Sequence, residues 1–410
     1  MRANLALVLL ALTAHLTYFA LVREHTAPDT VDYAAAAQSL RQGRGFTHDG
    51  VPQTRRTPGY PAFVAACEAA GLGFRGMALL QHLLAAAMTS ALFVAARRMS
   101  GNHFVAVVAA GLFAIDLPTI VHANLILSET LFALLLFVVF VLAWRIGEGV
   151  PRPMRNGAVA GLILGLAVLV RPVAIAFFIP LAIYFAWTRR HAAIPLFVAS
   201  ALLFPALWTL RNFHATGVAT LSSIAGDSIL FYRAAGVLAI DEPGDFGKNL
   251  HRHAAELRAR TDPPDARTLP HAKLAQLRAR AGSRIVWQHP AAWAKLTARG
   301  ITATLLGGGA DAVSRLTGLT PRTATWLLLV TTAAALSFAI AGQTWLLRTN
   351  RRLGVLVLIT VAYFVVLPAG AESYSRFRVP VVSMYAIAVA AGIECTRRLA
   401  LTAVRASRSK

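Results

Sequence analysis

The chain predicts an all-α polytopic membrane protein, and three observations carry that expectation. Hydrophobic residues make up 57% of the 410 residues and charged residues only 14%, with a mean hydropathy of +0.58. A water-soluble chain of this length needs far more charge to cover its surface. The apolar residues fall in runs long enough to cross the ~30 Å hydrocarbon core of a bilayer as helices. The basic residues sit at the ends of those runs, as positive-inside flanks do, rather than on one patch. The formal charge of +22 therefore reads largely as a membrane signature, with anionic lipid headgroups or a phosphorylated substrate explaining the basic residues on the other side and no nucleic acid expected.

In order, the first span covers residues 5–22, preceded by Arg2 and followed by Arg23-Glu24-His25. It is too long for a signal peptide and lacks a small-x-small cleavage site, so a retained helix with a cytoplasmic N-terminus is expected. Spans follow at about 77–96, 103–120 and 125–144. Residues 157–187 are apolar except for Arg171-Pro172 in the middle. Two short crossings there keep Arg189-Arg190 and the basic C-terminal tail on the cytoplasmic side, whereas one long crossing moves them outside. Arg171 then lies at the outer edge of a broken pair, either as a snorkelling boundary residue or as a phosphate ligand. Further spans are expected at 192–210, 323–347, 353–368 and 379–394, giving about ten crossings in a single domain over 1–410. Both termini are cytoplasmic, and no soluble domain is expected after the last span. The external loops are 23–76 and about 213–321. Within the latter, 250–260 and 272–287 read as amphipathic helices. His251, His253 and Glu256 have metal-like spacing, but nothing completes a ligand set and a solvated face is the default. Cys67 and Cys395 fall on opposite faces, so no disulfide is expected.

The segment 28–63 is the unusual one. Acids are scarce in this chain (18 Asp+Glu against 40 Lys+Arg), yet Asp29 and Asp32 lie three residues apart just after the first span. A helix should begin near Pro28, with Thr26-x-x-Asp29 as a capping box or Asp29 capping one turn later. Asp29, Asp32, Tyr33, Ala36, Ala37 and Leu40 share one face of it, and Gly43 and Gly45 end it. It should lie flat at the membrane surface with its alanine and leucine side against lipid or neighbouring helices. Helix capping alone would account for both acids.

With this topology Asp29, Asp32, Arg55, Arg56, Asp116, Glu129, Arg171, Arg211, Asn212, Asp227, Glu372, Arg376 and Arg378 all fall on the external side. Arginine suits a phosphate because its fork donates two parallel hydrogen bonds and keeps its charge. A carboxylate suits deprotonation of an acceptor hydroxyl or amine. A phosphate leaving group needs a cation rather than a proton. One carboxylate base with one or two arginines is thus a complete minimal outfit for moving a sugar from a lipid phosphate. The bland alternative is that each charge marks a helix end.

Several motifs resemble those of the GT-C-type polytopic glycosyltransferases, the relatives of dolichyl-phosphate-mannose–protein mannosyltransferases and of lipid A aminoarabinose transferases. The first loop carries Asp29-Thr30-x-x-Tyr33, Leu40-x-x-Gly43-x-Gly45-Phe46 and Arg56-Thr57-Pro58-Gly59-Tyr60-Pro61. Further on come Ser128-Glu129-Thr130-Leu131, Val170-Arg171-Pro172, Trp208-x-x-Arg211-Asn212 and Arg376-x-Arg378-x-Pro380, in the family's order. The resemblance implies an inverting transfer from a polyprenyl-phosphate sugar to a lipid, glycan or protein acceptor. It implies a periplasmic or extracellular site in a plasma membrane, here a bacterial inner membrane. It implies Asp29 as base, with Asp32 second and Glu129 in support, and Arg56, Arg171, Arg211, Arg376 and Arg378 for the donor phosphate. Tyr33, Tyr60, Asn212 and Glu372 are further site candidates. Some relatives bind a divalent metal near this loop; the residues here specify no cofactor.

Two rivals are a lipid or solute transporter (a flippase) and a non-catalytic envelope scaffold. A transporter needs ionisable residues paired along a path at mid-membrane. His15 and His82 alone sit at that depth, and they read as packed core residues. No internal repeat of the kind transporters use is evident.

Overall fold

A computed structural model describes residues 2–408. Among the described residues it is helices and connecting loops apart from one two-stranded hairpin. Helix α1 (Arg2–Leu21) leads into the first loop, which holds α2 (Pro28–Arg41), the hairpin β1 (Thr47–His48) and β2 (Val51–Pro52), and α3 (Gly59–Ala69). Then come α4 (Phe74–Ser100), α5 (His103–Ala114), α6 (Leu117–Ala123), α7 (Glu129–Glu148), α8 (Pro153–Val170), α9 (Phe178–Trp187) and α10 (Ile194–Thr216). The long loop contains α11 (Ile224–Asp227), a π-helical stretch (Ser228–Ala234), α12 (Ala235–Ala239), α13 (Phe246–Thr261), α14 (His271–Gln288), α15 (Pro290–Leu306) and α16 (Ala310–Thr317). The chain ends with α17 (Pro321–Thr349), α18 (Arg351–Val366), a 3-10 turn (Ser375–Val381) and α19 (Val382–Arg408).

Seven described helical segments are long and apolar enough to span a membrane, and the bent pair α5–α6 makes an eighth. The other two expected crossings are shorter. Pro172–Trp187 is apolar but broken, and the 16 residues of α18 rise about 24 Å at 1.5 Å each. The protein is an integral membrane protein. Its spanning helices expose Leu5, Leu9, Leu10 and Leu16 on α1 and Trp326, Leu327, Val330 and Ile340 on α17, side chains suited to lipid rather than water.

Proline and glycine set the breaks. Between α5 and α6 the chain turns by 48°. Pro118 cannot continue the hydrogen-bond ladder, and Asp116 caps the new helix by accepting from the Thr119 N–H at 3.0 Å. At Arg171 the backbone is extended (φ −140°, ψ 112°), the conformation favoured before proline, so α8 stops there. Along α8, Gly157, Gly161 and Gly165 face the α10 backbone. A Cβ on Gly165 would sit 3.0 Å from the Ala201 carbonyl, and one on Gly157 or Gly161 would strike the Ala193 or Phe197 carbonyl. Such a small-residue stripe lets two membrane helices approach closely. Helix α19 runs through the middle of the bundle, with Met384, Ile387, Ala390 and Ala391 wholly buried.

The long loop between α10 and α17 has its own small core of Leu230, Ala234, Leu250, Leu257, Val286 and Leu296. Here α13 and α14 cover the two expected amphipathic stretches; α15 lay beyond the expectation. Both cysteines are free. His15 and His82 are buried against each other, their Nδ1 atoms 2.8 Å apart.

One local expectation fails. Helix α2 begins at Pro28, but neither Thr26 nor Asp29 caps it. The cap residue is Ala27, whose N–H donates to the Thr30 hydroxyl at 2.9 Å. That hydroxyl donates in turn to the Ile126 carbonyl. The carboxylate of Asp29 is thereby left for other partners. The alanine face of α2 meets protein: Tyr33, Ala36 and Ala37 are buried in the main core and beside α3.

Candidate functional site: an alternating chain of carboxylates and guanidiniums

Where the first loop meets the ends of α7, α8 and the 3-10 turn, six charged side chains alternate in a line. Arg56 donates from Nε to Asp32 (3.0 Å) and from Nη2 to Asp29 Oδ1 (2.6 Å). Arg376 Nη2 donates to the other oxygen of Asp29 at 2.8 Å, and its Nε donates to Glu129. Arg171 closes the line on the same Glu129 oxygen. Arg55 stands at the far end, its Nε 3.8 Å from Asp32.

Each member is placed by a local cause. Glu129 is the first residue of α7, where the helix dipole favours an anion. Arg171 sits at the proline break. Arg376 and Arg378 leave the 3-10 turn toward different partners. Arg56 is held by its neighbour Gly59: a Cβ there would lie 2.7 Å from the Leu169 carbonyl carbon. Only glycine allows the Thr57-Pro58-Gly59 corner to press against the end of α8, two residues from Arg171. The Tyr33 ring lies under the Arg56 guanidinium, 5.1 Å away, a cation–π contact that helps hold it in place. Tyr33 also packs edge-on against Tyr60 at 4.8 Å.

Burial disfavours a charged Asp29, but Arg56 and Arg376 outweigh it and hold its carboxyl below the usual carboxylate range. Burial pushes the Tyr33 and Tyr60 phenols up, so both stay neutral. Glu129 is wholly buried, and its Oε2 has no hydrogen-bond partner among the described residues.

The other sequence candidates stand apart from this line. Arg211 donates to the Gln53 and Phe46 carbonyls at 2.9 and 2.7 Å and lies over the Trp208 ring, pinning the hairpin. Asn212 donates to the Thr220 carbonyl. Arg378 donates to the Leu305 carbonyl at 2.8 Å and lies 3.4 Å from Asp116, tying α15 to the α5–α6 bend. Tyr60 donates to Gln81, which holds the Ala123 and Leu125 carbonyls. Glu372 bonds no arginine among the described residues; burial raises its carboxyl above the usual range, outweighing the opposing charge of Arg233.

Sequence reasoning missed a second network. The Ser222 hydroxyl donates to the Arg55 carbonyl at 2.6 Å. The Thr54 and Ser223 hydroxyls are 3.1 Å apart, and Ser223 reaches His271 at 2.7 Å. His271 faces Asp227, which Arg278 joins to Asp262. This network clasps the long loop between α10 and α17 to residues 54–55. Its members lie far apart in sequence, and only Asp227 stood out as a scarce acid.

Among the described residues no three His, Cys, Asp or Glu side chains group as metal ligands. His253 instead pairs with Glu242 and Glu256.

The fold is shared with a solved membrane-embedded oligosaccharyltransferase. Among solved structures, the chain resembles the Archaeoglobus fulgidus oligosaccharyltransferase tethered to an acceptor peptide, at 14% identity and a TM-score of 0.51 over 96% of this chain and 49% of that one. It also resembles ArnT from Cupriavidus metallidurans bound to undecaprenyl phosphate, at 16% identity and a TM-score of 0.45, covering 94% of this chain and 77% of that one. A third similar structure is Archaeoglobus fulgidus AglB with an inhibitory peptide and dolichol phosphate, at 14% identity and a TM-score of 0.47, covering 99% and 51%. The chain thus spans about half the length of the archaeal enzymes. No protein-family model matches the chain, nor does any curated protein.

Proposed function

We propose that the chain is a glycosyltransferase that moves a sugar from a polyprenyl-phosphate carrier to an acceptor at the external membrane face, with Asp29 as base. The observation that carries this is Asp29 held between Arg56 and Arg376, one carboxylate oxygen to each. The step is a single inverting displacement. The acceptor oxygen or nitrogen bonds to the anomeric carbon while the bond from that carbon to the carrier phosphate breaks. The electron pair leaves with the phosphate, and the acceptor's proton passes to Asp29. Arg56, Arg376 and Arg171 meet the charge on the departing phosphate, while Arg211 and Arg378 hold the surrounding loops. Asp32 orients Arg56, and Glu129 orients Arg376 and Arg171.

In the resting arrangement Asp29 is a poor base, because two guanidiniums depress its proton affinity. A donor phosphate draws Arg56 and Arg376 toward itself and returns basicity to Asp29 as the donor arrives. A divalent ion at Asp29 and Asp32 would have to displace guanidiniums that already balance both carboxylates. The residues present do not form a cation cradle, so no step runs through a metal.

A bacterial inner membrane with the site on the periplasmic side fits the basic flanks. A transporter is disfavoured because the distant-segment charge network lies at one end of the bundle rather than strung along a path through it. The test is transfer from a radiolabelled polyprenyl-phosphate sugar in membranes. Asp29→Asn is expected to abolish it, and wild-type transfer by that variant overturns the assignment. A scaffold predicts no transfer by the wild type.

A further inference from the structure

Beside the charged line, in the external layer, is a cavity of about 530 Å³, within the size range of small-ligand sites. Its lining includes Arg55, Asp227, Phe231, Tyr232, His251 and Arg258. Three features give it a chemical character. First, its arginines have donors to spare. Arg55 Nε is buried without a hydrogen-bond partner, and its nearest carboxylate, Asp32, is at 3.8 Å and already takes the stronger bond from Arg56. Arg258 stacks over the Phe231 ring at 4.7 Å and forms no ion pair among the described residues. Second, the carboxylate of Asp227 is occupied by Arg278 at 2.7 Å and faces His271 at 3.4 Å. Third, Tyr232 is 43% exposed, an aromatic face open to a sugar ring.

We infer that this cavity is an acceptor subsite for a glycan bearing an oxyanion, phosphate or carboxylate, with Arg55 and Arg258 on the anion and Tyr232 under a ring. The inference deepens the transferase reading and rests on it. Position favours the acceptor over the donor. The cavity is built from the π-helical stretch and α13 of the external layer, not from the spanning helices that would flank a lipid carrier. Arg55 and Arg56 are adjacent in the chain, one lining the cavity and the other holding Asp29. An acceptor seated on Arg55 is therefore within a side chain's reach of the base.

The test titrates the full-length protein in detergent with glucose 1-phosphate, glucuronate and glucose, and separately with undecaprenyl phosphate. The proposal expects saturable binding of one or both anionic sugars and much weaker binding of glucose. The Arg258→Gln variant should weaken anion binding at least tenfold and leave undecaprenyl phosphate binding unchanged. Arg258 is exposed on α13, so that substitution spares the fold. Tyr232→Ala should weaken the anionic sugars but not inorganic phosphate. Preference for glucose 1-phosphate or for glucuronate identifies the anion. Failure of both anions to bind, or binding that ignores Arg258, overturns the proposal. Equal loss of undecaprenyl phosphate in Arg258→Gln also overturns it, since the cavity would then serve the carrier. The transferase reading fails separately, if Asp29→Asn keeps transfer whatever these titrations show.

Discussion

The two ends of the helix bundle carry acid–arginine clusters of similar composition and opposite physics. Midway along α19, Glu394, itself buried, takes bonds from Arg397 and Arg398 at 2.7 Å, one helical turn away, and from Asn102 at 2.9 Å. Those arginine side chains are 48% and 58% exposed. At the other end, Asp29, Glu129 and Arg376 come from segments up to 347 residues apart, and their guanidiniums are mostly buried. Local pairs whose arginines stay in water are worth little. A distant, dry cluster costs desolvation that stability alone does not repay, which is why we attach function to it.

The comparison can be broken or sharpened in several ways. The largest expected effect is at Asp29. Asn at that position should cut transfer by about 10²–10⁴-fold, the range for losing a general base, read in the membrane assay. Next is Glu129→Gln, which leaves Arg171 and Arg376 with a buried excess charge. It should cost about 3–5 kcal/mol, seen as a lower unfolding temperature in detergent. Gly59→Ala forces a Cβ into the Leu169 backbone and should cost about 1–3 kcal/mol by overpacking. Its transfer rate should also fall, because the Arg56 corner backs away from α8.

Glu372 tests the converse, a carboxyl that no arginine bonds among the described residues and that burial dominates. Its pKa is raised on folding, so its contribution is intact below the unfolded value of about 4.3 and is lost as pH rises through the folded value. Glu372→Gln should therefore unfold at a higher temperature than wild type at neutral pH, and the gap should close in acid. At the bottom of the scale, Arg398→Ala should be indistinguishable from wild type in both thermal unfolding and transfer. A large loss there would erase the contrast between the two ends.

Much of this was legible in the sequence. Hydropathy and basic flanks located most of the spanning helices to within a few residues, because lipid imposes a length and an arginine marks a boundary; the last helix, expected to end at 394, runs on to Arg408. Pro28, Arg171-Pro172 and the two loop helices were readable from local rules. The scarcity of acids drew attention to Asp29 and Asp32, and the family motifs to Glu129 and Arg376. The pairings were not legible. No local pattern distinguishes Arg376, which reaches Asp29, from Arg378 two residues later, which reaches a carbonyl of α15. The turn that separates them is set by tertiary packing. Nor does anything near Thr30 announce that its hydroxyl, rather than an aspartate, caps α2. That substitution of roles leaves Asp29 available to the arginines.

The glycine stripe of α8 carries a lesson for anyone scanning this protein by mutation. Because α8 and α10 touch backbone to backbone, α8 behaves as a stiff strut with Arg171 at its tip. A bulky residue at Gly161, several turns away, would tip that strut and drag the guanidinium out of register. Inactive variants on this stripe would then mimic active-site lesions while touching no substrate, and only a rigid-body shift of Arg171 would betray the difference.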